Sequence, residues 1–370
     1  MRSSPEDHSW SPWARRLTLR HAWAVLLLIV SCATVPACRI VGSSESATKP
    51  LGGQVEPDAA WLRTAIESVD SATALFGLRD SAGVGMDTLK IVPYAAGYLG
   101  VYHTLTARGF AVRLATSTDL RLWSFRATLD ARASQPSLSA LPDGGFVLAV
   151  EADNTGAPGP GRRWLRFRYF RDVTDLLSNQ PDRSYDAPHT LTAPDRGAEG
   201  TPNVYSVSLQ PSIDHSHIVV GFHFLTDGVD REAQGVLTDF STWTSRPDSA
   251  LDEALTQLGW NGKHGDRDAL TVGRSQQVLV EAQDGTDETW RIGMYDPQTQ
   301  TATKLGINTP GASSSFANPT LALLQLPDQR RGVVITLFMS LTGSAPGEAG
   351  ELLYYRELPT DETVTRATSR

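Results

Sequence analysis

Short apolar stretches interrupted by turn residues fill the chain from about residue 87 onward. Stretches of about four to eight residues rich in Val, Leu, Phe and Tyr predict β-strands. The first four strands are predicted at residues 88–92, 97–103, 110–115 and 123–127. Four short strands joined by turns are typical of one blade of a β-propeller.

A short phrase recurs at the predicted start of each blade: a polar residue, often Pro next, one spacer and an aliphatic residue. The aliphatic positions lie 49, 66, 66 and 51 residues apart. Such spacing suits one blade per copy. The fold class predicted is therefore all-β: a single five-bladed β-propeller preceded by a signal peptide and one short helix. The aliphatic residues are Leu89, Leu138, Val204, Leu270 and Leu321.

A second repeated element occurs at residues 117–123 and 237–243, where Thr-Asp is followed four residues after the Asp by Trp. Each copy lies between the third and fourth predicted strands of its blade. We expect the Asp to bond turn N–H groups and the Trp to pack between blades. The fifth blade has no obvious fourth strand, so another part of the chain is expected to close the ring.

The N-terminal segment resembles a bacterial export signal. A twin arginine, Arg15-Arg16, precedes an apolar stretch at residues 22–30, in the order of a Tat or a plain Sec signal. Cys38 follows a stretch that resembles a lipoprotein cleavage site and is the preferred lipidation residue, with Cys32 or simple secretion as the alternatives. We therefore predict an exported cell-envelope lipoprotein or secreted protein.

The predicted boundaries are a signal peptide at 1–37, a tether and helix at 38–83, the propeller at 84–360 and a tail at 361–370. Asp58 is expected to cap the helix, which runs past Trp61 and Ile66 towards Leu75 and ends at Gly77. We expect the helix to lie against an outer face of the propeller.

Charge and cysteine usage exclude several classes of partner and bond. Beyond residue 37 the chain has 29 basic and 39 acidic side chains, which argues against nucleic acid and against an anionic membrane surface. Membrane contact is expected only through the lipid. The two Cys both lie near the signal, so no disulfide is expected in the propeller. No cofactor and no metal is predicted, since His215 and His217 have no third ligand nearby.

Propeller geometry brings two sets of polar residues to one rim, because innermost strands begin where second strands end. The first set is Asp87, Gln135, Glu199, Asp266, Arg267, Asp268 and Asn318. The second set is His103, Glu151, His223 and Glu281. Each carboxylate also has a structural interpretation, as an ion-pair partner or a strand brace.

The blade-start phrase, the Ser-x-Asp-Leu-x-x-Trp turn and Glu199-Gly200-Thr201-Pro202 together resemble glycoside hydrolase family 43 and related actinobacterial-type secreted propellers. The resemblance covers about 87–358 and implies inverting acid/base hydrolysis of an extracellular glycan. By resemblance Glu199 is the general acid and an Asp of the first blade the base, for which Asp87 is the candidate. Asp266 and Asp268, in the acidic cluster one blade later than Glu199, are the other candidates for the base. Thr201 departs from the family pattern of Glu-Gly-Pro, and Gln135 stands where the family has Asp.

Substrate contacts are expected from five rim residues: Arg267, His103, Gln135, His223 and Asn318.

Two other functions stay open. One is a non-catalytic, surface-anchored carbohydrate-binding propeller, which would use the same funnel and aromatic residues such as Tyr205 or Trp260. The other is a purely structural cell-envelope module.

Overall fold

A computed structural model describes residues 56–95, 97–153, 162–193, 198–285 and 289–360. The predicted signal peptide, Cys38, most of the tether and the tail lie outside these residues. The described part begins with helix α1 (Ala59–Glu67), a 3₁₀ turn at Val69–Ser71 and strand β1 (Thr73–Leu75). The helix is shorter than predicted, because the sequence beyond the 3₁₀ turn forms β1 instead.

The other nineteen strands follow in order and, with β1, form five four-stranded antiparallel sheets. Blade 1 contains β2 (Asp87–Tyr94), β3 (Gly97–Thr106), β4 (Gly109–Ser117) and β5 (Ser124–Asp130). Blade 2 contains β6 (Ala133–Ala140), β7 (Phe146–Asp153), β8 (Arg163–Phe170) and β9 (Arg183–Asp186). Blade 3 contains β10 (Glu199–Leu209), β11 (Ser216–Thr226), β12 (Val229–Thr238) and β13 (Thr242–Pro247). Blade 4 contains β14 (His264–Val272), β15 (Ser275–Gln283), β16 (Trp290–Asp296) and β17 (Thr301–Lys304). Blade 5 contains β18 (Ala317–Gln325), β19 (Arg331–Met339), β20 (Gly350–Glu357) and β1. The predicted five-bladed propeller is confirmed.

The ring closes through β1, which pairs antiparallel with β20 and supplies the outermost strand of blade 5. The expected closure by another part of the chain is therefore confirmed. Because β1 precedes residue 84, the predicted start of the propeller omits this strand. The pairing joins the first and last parts of the described chain, so neither blade 1 nor blade 5 is left as a free end of the ring.

Helix α1 packs its buried face against blades 4 and 5. Asp58 caps it by accepting a hydrogen bond from the Trp61 N–H at 2.8 Å, as predicted. Leu62 and Ile66 are fully buried in a cluster with residues of both blades, including Val272 and Ile335. Two further helices, α2 (Val173–Leu177) and α3 (Ser249–Gln257), were not predicted. Among the described residues, no helix is long and apolar enough to cross a membrane.

The hydrophobic core lies between neighbouring blades. Trp243, from the second Thr-Asp-Trp element, packs between Phe167 of blade 2 and Phe222 of blade 3, with ring centroids 5.5 and 5.7 Å away. In the first element, Asp119 accepts the N–H groups of Arg121 and Leu122 at 2.9 and 2.8 Å. The predicted roles of these two residues are confirmed. Because four of the five seams are filled by apolar side chains from two blades, the ring is a packed structure without disulfides in the described residues.

The antiparallel order places the start of every innermost strand on one face, called here the rim face. The hairpin between second and third strands and the connection between successive blades lie on the same face. The Thr-Asp-Trp turns lie on the opposite face. The rim face therefore collects the polar residues considered next.

Candidate functional site

Each innermost strand carries a β-bulge at the same place near its start, where two residues oppose one on the second strand. The first bulge position has a left-handed backbone in four blades, with φ between 45° and 57°. Blade 4 has glycine there. The five first positions are Thr88, Gln135, Thr201, Gly265 and Asn318.

The bulge explains the recurring Pro of the sequence phrase. In blades 2, 3 and 5 the second bulge residue is Pro, which has no N–H to satisfy. In blades 1 and 4 it is Leu89 and Asp266, and each donates its N–H to a buried glutamate. Leu89 donates to Glu351 at 2.9 Å, and Asp266 donates to Glu281 at 2.9 Å. The N–H of the second bulge residue is thus either absent or held by a carboxylate.

The sequence alignment of blades 1 and 4 was displaced by two residues. The pairing register makes Ile91 and Asp268 equivalent to Leu138, where the sequence had matched Leu89 and Leu270. The shift changes which residues lie before the bulge, nearest the rim, and which follow it deeper in the strand, so it alters the predicted rim. Asp87 precedes the bulge, while Arg267 and Asp268 follow it.

The two predicted sets of polar residues do meet, but many of their hydrogen bonds connect one blade to the next. His103 Nδ1 accepts the Gln135 N–H at 3.2 Å, and Glu151 accepts the Thr201 N–H at 3.0 Å. Glu281 likewise accepts the Asn318 N–H. Burial lowers the pKa of His103 to about 4. Burial also raises the pKa of Glu281 to about 7, although its backbone hydrogen bonds oppose the shift.

Glu199, the predicted acid, is almost fully buried, and its carboxylate accepts several structural hydrogen bonds. Its Oε1 accepts the backbone N–H groups of Thr190, Leu191 and Thr192 at 2.8, 2.7 and 2.9 Å. These three residues belong to the connection between β9 and β10. The carboxylate therefore pins that connection to the start of blade 3, which is a structural role.

Arg267 lies between blades 3 and 4 with no exposed surface. Its Nη1 is 2.6 Å from a carboxylate oxygen of Glu232, which is also fully buried. Its Nη2 donates to the carbonyl oxygens of Phe222 and Ala233. The predicted substrate contact from Arg267 would need an accessible guanidinium, and the structure instead directs this group into the seam.

Asp268 is also buried and spans the centre of the ring. It accepts the Leu321 N–H of blade 5 at 2.7 Å and pairs with the Lys90 ammonium of blade 1. Asp266 lies closer to the rim, where burial raises the pKa of its carboxyl well above the ordinary value and the nearby Glu281 charge adds to the rise. Lys90 was not singled out in the sequence, and its pairing with Asp268 depends on the ring geometry.

Asp87 is the predicted catalytic carboxyl that stays partly exposed at the rim. Burial raises its pKa to about 6, against the opposing charge of Arg79. The buried carboxyl of Glu351 has a pKa of about 8, because burial dominates and the Asp87 charge adds to the rise. Asp87 can therefore exist in either protonation state near neutral pH, which suits proton transfer.

Uncharged polar side chains cross the centre of the ring at the level of the bulges, forming a layer called here the floor. Thr88 donates its hydroxyl to Gln135 Oε1 at 2.9 Å, and Gln135 Nε2 donates to Asn318 Oδ1 at 3.3 Å. Thr201 is 2.5 Å from His223 Nδ1, between hydroxyl and ring nitrogen. The floor links blades 1, 2 and 5, and Gln135 is its half-buried member, whereas Thr88 and Asn318 are buried.

The two aromatic residues named as possible glycan contacts differ in exposure. Trp260 is only 2% exposed, so it cannot stack on a ligand, whereas Tyr205 is half-buried. A cavity of about 740 Å³ lies on the opposite face of blade 1, lined by residues that include Tyr98 and Leu122. In the described part of the chain, no three His, Cys, Asp or Glu residues are grouped to hold a metal ion.

Comparison with known proteins identifies the fold. No protein-family model matches the chain, and no curated protein sequence matches it. A protein solved as an RGII complex has a TM-score of 0.52 at 11% identity, over 80% of this chain and 93% of that one. A family 117 glycoside hydrolase from the marine bacterium Zobellia galactanivorans has a TM-score of 0.50 at 10% identity, over 77% and 89%. A thermostable family-43 glycoside hydrolase has a TM-score of 0.46 at 11% identity, over 78% and 94%. The two structures with TM-scores of 0.52 and 0.50, one of them a glycoside hydrolase, therefore share the propeller fold of this chain.

Proposed function

We propose that this propeller binds a glycan at the rim face, above the floor. The floor carries the proposal: Gln135, its half-buried member, presents an amide group at the centre of the ring and is bonded to the buried Thr88 and Asn318 side chains. Neutral polar groups of this kind match sugar hydroxyls in hydrogen-bonding capacity. A neighbour of the same fold was solved as an RGII complex, which supports a glycan as the class of ligand.

The test is binding to a panel of arabinan, xylan, RGII and bacterial cell-wall polysaccharides, with the variant Gln135→Gly. Gln135 has a φ of 50°, so glycine accepts its backbone conformation and removes only the side chain. We expect Gln135→Gly to lose at least about tenfold in affinity, roughly 1.4 kcal/mol. The matched control is Gln300→Gly, which has a φ of 54° in an exposed turn of blade 4.

Parent-like affinity of Gln135→Gly would contradict a ligand on the floor. If the parent binds no polysaccharide of the panel, the third alternative, a structural envelope module, is favoured. Circular dichroism of both glycine variants should match the parent, because glycine adopts the left-handed backbone conformation of both positions.

Hydrolysis is the second candidate function, and Asp87 favours it. This carboxyl is partly exposed at the rim and has a pKa raised to about 6. Asp266 of blade 4 would be the partner carboxyl, since burial raises its pKa and so favours the protonated form that can donate a proton. An inverting mechanism needs the two carboxyls about 6.5–9.5 Å apart, with water between them.

The test of hydrolysis is product release from any polysaccharide that binds. Asp87→Asn and Asp266→Asn should each lower the rate by about 10²–10⁴ while binding is kept. Gln300→Gly again serves as the folded control. Binding without release by the parent would leave the non-catalytic function as the conclusion.

We further propose that the chain is exported and anchored through Cys38, as its N-terminal sequence predicts. Metabolic labelling with a fatty-acid analogue should mark the parent and not Cys38→Ala. Loss of label in Cys32→Ala instead would move the anchor to Cys32, and an unlabelled parent would indicate plain secretion.

A further inference from the structure

The seam between blades 1 and 2 has the shortest connection on the rim face. Only Ala131 and Arg132 join β5 to β6, whereas the four other connections between successive blades have eleven to sixteen residues. The hairpin between β3 and β4 is equally short, with Ala107 and Arg108 at its tip. Among the described residues, the wall around the floor is therefore low where blade 1 meets blade 2.

The low connection is held firmly in place. Asp130 accepts the Arg132 N–H at 3.0 Å and pairs with Arg166 and Arg168 of blade 2 at 3.0 and 2.8 Å. Asp130 is 8% exposed, so these contacts are largely shielded from water. The low connection is consequently a fixed feature of the seam.

An apolar strip, formed by Leu105 and Phe110, lies on the face of blade 1 turned towards blade 2. Leu105 and Phe110 are directly opposite each other on β3 and β4, so their side chains share a face. His103 lies two residues before Leu105 on the same face, and its ring meets that of Phe110 edge-on at 5.0 Å. His103 also accepts the N–H of Gln135, so the strip stands beside the floor.

The strip has the properties of a binding surface. Leu105 is 56% exposed, one of three large apolar side chains exposed among the described residues. The other two are Leu122, in a turn on the opposite face, and Leu341, in the connection between β19 and β20. An exposed apolar surface beside a few convergent polar groups is typical of a small-ligand site.

We propose that the Leu105–Phe110 strip is a sugar-ring subsite, over which a glycan leaves the floor through the low seam between blades 1 and 2. The apolar C–H face of one sugar residue packs on the strip while the neighbouring residue is held by Gln135. This inference rests on the proposed glycan binding and adds the path and the second contact.

The experiment measures the affinity of the full chain for the same panel of arabinan, xylan, RGII and bacterial cell-wall polysaccharides. Leu105→Asp places a charge on the strip at an exposed hairpin residue, so the fold should not change. We expect affinity to fall about tenfold, roughly 1.4 kcal/mol. The matched control, Leu122→Asp, changes a leucine that is 76% exposed on the opposite face and should bind as the parent does.

A second variant keeps the outcome independent of the introduced charge. Phe110→Leu retains an apolar side chain but removes the flat ring, and it should weaken binding by a smaller factor than Leu105→Asp. Thermal unfolding of each variant checks that the fold is intact. Parent-like affinity of both strip variants, while Gln135→Gly loses binding, would contradict the sugar-ring subsite and leave the proposed binding at the floor unaffected. Loss in Leu122→Asp equal to that in Leu105→Asp would also contradict the subsite, and a parent that binds no panel member would remove both inferences together.

Discussion

Glu199 provides the sharpest test of structural against catalytic carboxylates in this propeller. Its Oε1 accepts three backbone N–H groups at 2.7–2.9 Å and the side chain is 1% exposed. In Glu199→Gln the same oxygen position can still accept, but the charge is lost. Hydrogen bonds to charged groups contribute about 1.5–3 kcal/mol each, against about 0.5–1.5 kcal/mol for neutral ones. Three such bonds therefore predict a loss of roughly 3 kcal/mol in the free energy of unfolding.

Urea unfolding followed by tryptophan fluorescence measures this loss directly, because the chain has nine Trp. The midpoint of Glu199→Gln should fall while the slope stays that of the parent. Glu253→Gln is the matched control, since Glu253 is exposed on α3, and its effect should stay within about 0.5 kcal/mol. Glycan binding by the folded Glu199→Gln protein should equal that of the parent.

The structural argument would be refuted by the opposite pattern. If Glu199→Gln unfolds at the parent midpoint yet loses binding or product release, its carboxylate acts on the ligand. That result would restore the acid role implied by the resemblance to family 43. It would also require the three N–H groups to be equally well satisfied by the amide.

Two other predictions concern buried charge. Arg267→Met should lower the free energy of unfolding by about 3–5 kcal/mol, because it leaves Glu232 buried without its partner, whereas Arg267→Met with Glu232→Leu should recover most of that loss. Equal urea midpoints for the single and double variants would contradict this. Asp87 and Glu351 have pKa values raised to about 6 and about 8 in the folded state, so their contribution to stability is complete below about pH 4 and is lost as pH rises towards 8. The unfolding free energy should therefore decline by on the order of a few kcal/mol over that range, and Asp87→Asn should flatten the part below about pH 6; an unchanged profile in this variant would contradict the assignment.

The sequence by itself determined the architecture. Strand patterns and the recurring Pro phrase predicted five blades, since period-two patterning and a fixed repeat length are local properties of the chain. The role of Asp119 was also readable, because a turn Asp bonds N–H groups within a few residues. The packing of Trp243 between blades was predicted from the same repeated element. Helix α3 carried a readable signal that was missed: Leu251, Ala254, Leu255 and Leu258 recur at helical spacing.

The tertiary structure decided which polar residues face a ligand. Each bulge adds one residue to its strand, so the facing of side chains after it cannot be counted from a repeat whose bulge position is unknown. Arg267 and Lys90 illustrate this, since they occupy equivalent positions after the bulge, yet one enters a seam and the other pairs across the ring. The acceptor for a bulge N–H comes from a residue distant in sequence, as with Glu351 and Leu89. Burial and pairing of a carboxylate depend on the neighbouring blade, and only the closed ring brings those neighbours together.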